Sequence, residues 1–453
     1  MVDVSTAAPT SIAPARACAH RVLRRVFEDG AYAEKALHAE ARGLDARDRA
    51  LAMRLAYGAV QRAGTTDHFI EQLSGRPPGK IDPPLLASLR LGLYELLFLD
   101  GSPSYAVVAD AVELAKRKGG RGHGLVNAVL RRALREGRDA LLGGLTDEDP
   151  ARAAVMHSHP EWIARMWWET LGPSEARALM ARDNEPGELA LRANTLVCDA
   201  DGLQERLGVG CRRDPVVPEA VVLEGPLDVH GSPLWREGAF TAQSRGAMLV
   251  SRTLAPEPGE AILDLCAAPG GKSTHLAALM GDTGTVVAVE GNARRARALR
   301  ETARRMRAES VSVEVADARV PRSGQSFDRV LVDPPCSGLG TLQARPDLRW
   351  RANSAAVEQM RADQFQILDC GAQALRPQGV LVYSTCTISP TENERLIADF
   401  LSSHPDFQLD DLAAEMPSLA LAGTPDPGEG SPVMTLPHRD HTAGFFIARM
   451  RRR

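Results

Sequence analysis

Near residue 256 the chain changes its pattern, and the new pattern restricts the fold sharply. The segments AILDLC (261–266), TVVAVE (285–290), VSVEVA (311–316), RVLVD (329–333) and GVLVYST (379–385) are short, apolar and β-branched. Helix-like stretches such as NARRARALRETARRM and AVEQMRADQFQILDCGAQAL separate them. Strands that alternate with helices predict a parallel sheet covered on both faces, and such sheets bind ligands at the carboxyl ends of their strands. A doubly wound, Rossmann-like α/β domain is therefore expected over 256–453. Each unusual motif in this half sits at a strand end.

The preceding sequence reads differently. Residues 15–145 space their apolar residues at three and four, as in RVLRRVFEDGAYAEKAL and LLASLRLGLYELLFL, which predicts an all-helical bundle. SGRPPGKIDPP is a loop between helices, because Pro and Gly do not continue one. Residues 150–255 mix the two patterns. SHPEWIARMWWETLG reads as an amphipathic packing helix, while ALRANTLV and AVVLEG are strand-like, so a small α+β connector is expected there. Residues 1–14 read as a short disordered tail. They superficially resemble a transit peptide but lack the apolar region of a secretory signal.

Charge and cysteine usage narrow the class. No apolar run is long enough for a bilayer, so no membrane partner is expected. The seven cysteines are odd in number, widely spaced and free of CxxC pairs, which argues against a disulfide framework or a metal site and for a reducing cytoplasm. The net charge of −4 conceals an uneven distribution. Between Lys116 and Arg138 eight Lys and Arg face one acid, Glu136. Most charge runs are solvated helix faces. A run this dense around a Gly-rich break is read here as a phosphate-binding surface, with Lys116, Arg117, Lys118, Arg121, Arg131 and Arg132 as its nucleic-acid contacts.

The motifs carry the chemistry. LDLCAAPGGKSTHLA follows the first strand of the α/β half and opens a helix. Gly270 and Gly271 would let a ligand approach the backbone, and a helix amino terminus favours negative charge. A nucleotide phosphate and the carboxylate end of S-adenosylmethionine both fit. CAAPGGKS nearly matches a phosphate-cradling P-loop, but Cys266 stands where that loop needs its first glycine. Glu290, 24 residues beyond Cys266, ends the second strand where an acid bonds ribose hydroxyls, and Asp317 follows the third, within reach of an adenine amino group. Two acids behind a glycine turn suit an adenosyl ligand better than a triphosphate. The chain has only five lysines against 49 arginines, yet one of the five, Lys272, lies in this turn, where a compact point charge is wanted.

Two further strand ends carry thiols. Cys336 follows Asp333-Pro-Pro, and Cys386 lies in STCT. An acid-Pro-Pro turn in an adenosylmethionine fold usually holds an amino group, whose nitrogen has its own lone pair. Carbon 5 of a pyrimidine has none. A thiolate that adds to carbon 6 makes carbon 5 enamine-like, and loss of the carbon 5 proton later expels the sulfur. Asp333 would hold the base edge and stabilise charge. This chemistry accounts for one thiol and leaves open which one. Free cysteines are more often small buried hydrophobes. Cys18, Cys198, Cys211 and Cys370 fit that role, and Cys266 reads as a wall of the cofactor turn.

LDLCAAPGGKSTHLA, VLVDPPCSGLGTL, RPDLRW, LVYSTCTISPTENE, FTAQSRGAML and HTAGFFIARM together resemble the NOL1/NOP2/Sun family of RNA cytosine-C5 methyltransferases, over roughly residues 155–449. The amino-terminal helices, with NAVLRRALRE, resemble the RNA-binding antitermination factor NusB; the combination is that of the bacterial Sun/RsmB type. The resemblance implies S-adenosylmethionine as cofactor and a cytosine of small-subunit (16S) ribosomal RNA, position 967, as target. It implies Cys386 as nucleophile, Cys336 as the cysteine that helps release product, and catalytic use of Asp333. Cofactor contacts carry over to Cys266, Ala267, Ala268, Pro269, Gly270, Gly271, Lys272, Glu290, Asp317 and Asp333. Glu290 replaces the family's usual Asp. Gln343 and Ala344 stand where relatives often carry two arginines, and Ala443 replaces an acid. A monomer is expected. A P-loop-like NTPase and a non-catalytic RNA-binding protein are the alternatives.

Overall fold

A computed structural model describes residues 12–116, 122–322, 324, 326–421 and 430–453. The chain divides into two compact units: residues up to Glu185 together with Leu342–Arg351, and Pro186–Thr341 together with Ala352–Arg453.

The first unit is helical. Its helices include Pro14–Phe27, Ala46–Gln61, Ala63–Ser74, Pro83–Phe98, Ser104–Lys116 and His123–Glu136, followed by Pro150–His157, Glu161–Leu171 and Pro173–Arg182. Pro14 opens the first helix, where its missing N–H costs nothing. The loop read from SGRPPGKIDPP contains one 3₁₀ turn, Pro78–Lys80. Pro83–Phe98 is the central helix. It is apolar nearly all round and buries Leu89, Leu91 and Leu93. Its Glu95 pairs with Arg16, which also bonds Asp110 at 2.8 Å, so one guanidinium is shared by two buried carboxylates. Trp167 is fully buried, as expected of a packing helix.

Leu342–Arg351 was expected to stay with the α/β half, but it is built into this helical unit. Arg349, fully buried, donates to the carbonyls of Ser158 and Asp183 at 3.0 Å each and to Asn184 Oδ1. Trp350 Nε1 donates to Val60 O at 2.7 Å. Gln343 donates to Arg182 O and Glu185 O, so the residue that departs from the family's arginines serves as a structural tie.

The second unit contains two sheets. Four short antiparallel strands, β1 (Ala190–Ala193), β2 (Cys211–Arg213), β3 (Ala220–Leu223) and β4 (Phe240–Ala242), pair in the order β2-β3-β1-β4. The larger sheet contains β5 (Ala261–Leu265), β6 (Thr285–Val289), β7 (Val311–Glu314), β8 (Phe327–Val332), β9 (Leu375–Thr385), β10 (Phe407–Leu409), β11 (Val433–Thr435) and β12 (Phe445–Arg452). Its order is β10-β12-β9-β8-β5-β6-β7, with β11 on β12. The five strands from β7 to β9 are parallel, and β12 runs antiparallel to β9. The sheet is thus mixed, not purely parallel; period-two reading of the sequence did not identify β12.

Strand alternation distributes the side chains between two faces. Ile262, Val286, Leu331, Val382 and Ile447 fall on one face and form a core with Met248 and Leu276. On the other face, Gly371 lets helix Ser354–Gln373 sit close to Val330 and Val332; a β-carbon there would lie 2.8 Å from Val332 Cγ2. Strand order reverses on either side of β5, which sets a crevice beyond the carboxyl ends of β5 and β8.

Candidate active site

The glycine turn leaves β5 at Cys266, which has a φ of 66°. Helix Gly271–Leu279 follows, with Gly270 at its cap and no side chain capping it. Its first N–H groups are thus open to an anionic ligand. The two glycines differ in role. Gly270 has φ 101°, and a β-carbon there would lie 2.4 Å from Leu299 Cδ1, so its space is taken by the neighbouring helix rather than by a ligand. Gly271 has room: the nearest atoms to a β-carbon would be Cδ and Oε1 of Gln243, at 3.7 Å. Both polar atoms of the Gln243 amide are buried and unbonded. An uncapped helix end beside an orphaned amide fits a ligand that carries both a carboxylate and an amino group.

Register places Asp264 of β5 beside Leu331 of β8, and Val382 and Ser384 of β9 on the same face. On this face Ser273 donates to Asp264 at 2.6 Å, and burial pushes the Asp264 carboxyl up to about 7. Lys272 Nζ bonds Asp333 Oδ2 at 2.7 Å, and Ser384 Oγ donates to Asp333 Oδ1 at 3.0 Å. The ammonium also lies 5.0 Å from the centre of the Phe445 ring. Burial alone would pull the lysine down. The charge and hydrogen bond of Asp333, with a contribution from Cys386, outweigh burial and raise it, so Lys272 is a fixed cation.

The structure brings the two thiols together. Cys336 Sγ and Cys386 Sγ are 3.3 Å apart, although 50 residues separate them in sequence. The hydrogen bond to Cys386, followed by burial, pushes Cys336 well above the usual thiol range. Either sulfur can donate in this contact; when Cys386 is ionised, Cys336 is the donor. Lys272 favours the anionic form of Cys386, since their attraction is mutual. Burial pushes Cys266 up to about 12, which makes it an inert wall of the turn. Cys18 and Cys370 are buried, whereas Cys198 and Cys211 are only half-buried.

The acids stand apart in character. Glu290 directly follows β6, is nearly buried, accepts from Asn292 N at 2.8 Å and lies 3.4 Å from Arg295. Asp317 lies three residues beyond β7 on the surface. Arg319 bonds both of its oxygens and holds its carboxyl down at about 2. Of the basic run, Lys116 is exposed and 3.3 Å from Glu113, Arg131 bonds Asn127, and Arg132 bonds Glu136 and Leu73 O. Such exposed pairs are worth about 0–1 kcal/mol and yield readily to phosphate. Arg117, Lys118 and Arg121 lie outside the described residues.

Sequence reasoning did not assign roles to Asp264, Ser384 or Phe445. The available signal was polarity: Asp264 and Ser384 interrupt otherwise apolar strand segments.

Comparison with known proteins gives this arrangement its family. Residues 251–451 match the model for the 16S rRNA methyltransferase RsmB/F, residues 13–135 the NusB family, and residues 159–230 the RsmF/B-like ferredoxin-like domain. A probable ribosomal RNA small subunit methyltransferase B from Synechocystis is 35% identical, over 97% of this chain and 99% of its own. The chain belongs to the RsmB/F family of 16S ribosomal RNA methyltransferases. Another RsmB/F relative, ribosomal RNA small subunit methyltransferase B from Vibrio cholerae, is 33% identical over 87% of this chain and 90% of its own. The crystal structure of PH0851 superimposes with a TM-score of 0.80 at 28% identity, covering 98% of this chain and all of its own. RsmB/F membership matches the expected NusB-like helical domain and α/β methyltransferase domain, and it removes the P-loop alternative. No helix among the described residues is long and apolar enough to cross a membrane.

Proposed function

We propose that this chain methylates carbon 5 of a cytosine in small-subunit ribosomal RNA, with Cys386 as nucleophile and Cys336 assisting product release. The observation that carries the reading is the pair of sulfurs 3.3 Å apart beside a half-buried ammonium. The Cys386 thiolate forms a bond to carbon 6, and carbon 5 becomes enamine-like. Asp333, fixed from both sides by Lys272 and Ser384, bonds the N3/N4 edge of the base and balances charge as it develops. The Cys336 sulfur, its own proton given up to solvent once the methyl has transferred, takes the carbon 5 proton; the carbon–sulfur bond breaks and Cys386 returns as thiolate.

S-adenosylmethionine, when bound, supplies an electrophilic methyl group. Cys266 to Lys272, Glu290, Asp317 and Asp333 are proposed to hold it; Gly271 and the uncapped helix end support this most directly. The base must leave its stack, at a cost of a few kcal/mol unless it is already unpaired. The helical unit is proposed to add RNA affinity through Lys116, Arg117, Lys118, Arg121, Arg131 and Arg132.

The test uses two variants and a tritiated methyl donor. Cys386→Ala is expected to abolish transfer. Cys336→Ala is expected to leave a protein–RNA adduct that survives a denaturing gel. Full turnover by Cys386→Ala overturns the assignment. Bisulfite sequencing of ribosomal RNA from a strain lacking the protein identifies the cytosine, with position 967 the expected one.

A further inference from the structure

Glu392 has no solvent exposure. A carboxylate taken out of water is tolerated only when donors surround it. Here it receives three: Ser337 N at 2.9 Å, Ser337 Oγ at 2.5 Å and Gln364 Nε2 at 3.0 Å. Two of them come from the residue that follows Cys336. Glu392 itself lies six residues beyond Cys386, in the loop that leaves β9, and its carbonyl accepts from Tyr383 OH at 2.7 Å. One carboxylate thus bridges the loops that carry the two thiols.

The proton directions follow from its chemistry. A carboxylate only accepts, so the Ser337 hydroxyl points its proton at Glu392. Ser337 Oγ, 2.6 Å from Thr387 Oγ1, then accepts from the Thr387 hydroxyl, which accepts from Leu339 N at 3.3 Å. Thr387 is the neighbour of Cys386, as Ser337 is of Cys336. The chain of bonds runs from one thiol's neighbour to the other's and ends on Glu392. Gln364 Nε2, which also donates to Pro335 O at 2.8 Å, fixes the turn on the far side of Cys336.

We infer that Glu392 is a positioning residue whose carboxylate sets the Cys336–Cys386 spacing, and with it the turnover of the cysteine–base adduct. The inference rests on the proposed function for its catalytic half and on geometry alone for its spacing half.

The experiment reads the two halves separately. Phenylarsine oxide bridges two neighbouring thiols, giving a bis-thiolate arsenical and one water, and mass mapping locates the bridge. On the full chain, Glu392→Ala is expected to slow bridging of Cys336 to Cys386 at least tenfold. It is also expected to lower kcat for RNA methylation about 10–100-fold, since displacement of reacting groups by about 1 Å costs that order, with KM for RNA within twofold. Glu392→Gln keeps the shape and one acceptor, and is expected to restore bridging to within threefold of the parent. Ser337→Ala removes one donor from the carboxylate without removing the charge, and is expected to slow bridging threefold to tenfold; it decides the matter if Glu392→Ala does not fold. Unchanged bridging in a folded Glu392→Ala or in Ser337→Ala overturns the inference, whatever happens to kcat. Slowed bridging in a chain whose parent methylates no RNA upholds the spacing role and overturns the proposed function instead.

Discussion

Gly270 and Gly271 are adjacent in the turn that leaves β5, yet alanine at each should have opposite consequences. At Gly270 the φ of 101° is one that L-residues avoid, costing about 1–2 kcal/mol. The new β-carbon would also lie 2.4 Å from Leu299 Cδ1, a fully buried side chain, and 3.5 Å from Thr302. Moving Leu299 off its preferred rotamer in a packed core adds about 1–3 kcal/mol. The sum is about 2–5 kcal/mol. At Gly271 no positive φ is required and the nearest atoms lie at 3.7 Å, so Gly271→Ala should stay within about 0.5 kcal/mol of the parent. Thermal unfolding followed by circular dichroism measures both. At about 2–4 °C per kcal/mol for a unit of this size, Gly270→Ala should lower the transition of the α/β unit by about 4–20 °C. Isothermal titration with S-adenosylmethionine then separates packing from binding. Gly271→Ala should keep its stability and lose affinity, because the added methyl occupies the approach to the helix end. A Gly270→Ala protein as stable as the parent would refute the packing argument, and a Gly271→Ala protein with full affinity would refute the ligand argument.

Two other outcomes are expected. Lys272→Met removes the cation that favours the Cys386 thiolate, so the pH midpoint for iodoacetamide labelling of Cys386, followed by peptide mass mapping, should rise by about one unit; an unmoved midpoint would place the source of activation elsewhere. Replacing Lys116, Arg131 and Arg132 together by Gln should weaken RNA binding and reduce the slope of log affinity against log salt by about 2–3, at about 0.7–0.9 per phosphate contact. An unchanged slope would show that these cations are only a solvated face.

The two kinds of information separate along physical lines. Local pattern was enough to distinguish the helical half from the α/β half, because periods of 3.6 and 2 are written in consecutive residues. It was also enough to place Cys266, Glu290, Asp333 and Cys386 at strand ends, since the first three follow directly on apolar runs and Cys386 follows one after Ser384-Thr385. Chemistry at that level required one thiol and left the choice between Cys336 and Cys386 to family resemblance. What no local pattern contains is long-range pairing. The 3.3 Å between sulfurs 50 residues apart depends on β8 and β9 lying side by side. The antiparallel β12 brings Phe445 over Lys272, and Glu392 earns its meaning only when Ser337 and Gln364 close around it. The same holds for Leu342–Arg351, whose Arg349 finds its acceptors among carbonyls more than 160 residues earlier in the chain. Sequence determined which groups were present and at which strand ends. Only the tertiary structure decided which of them touch, because contact between distant segments is set by the sum of all the packing and not by any one stretch of it.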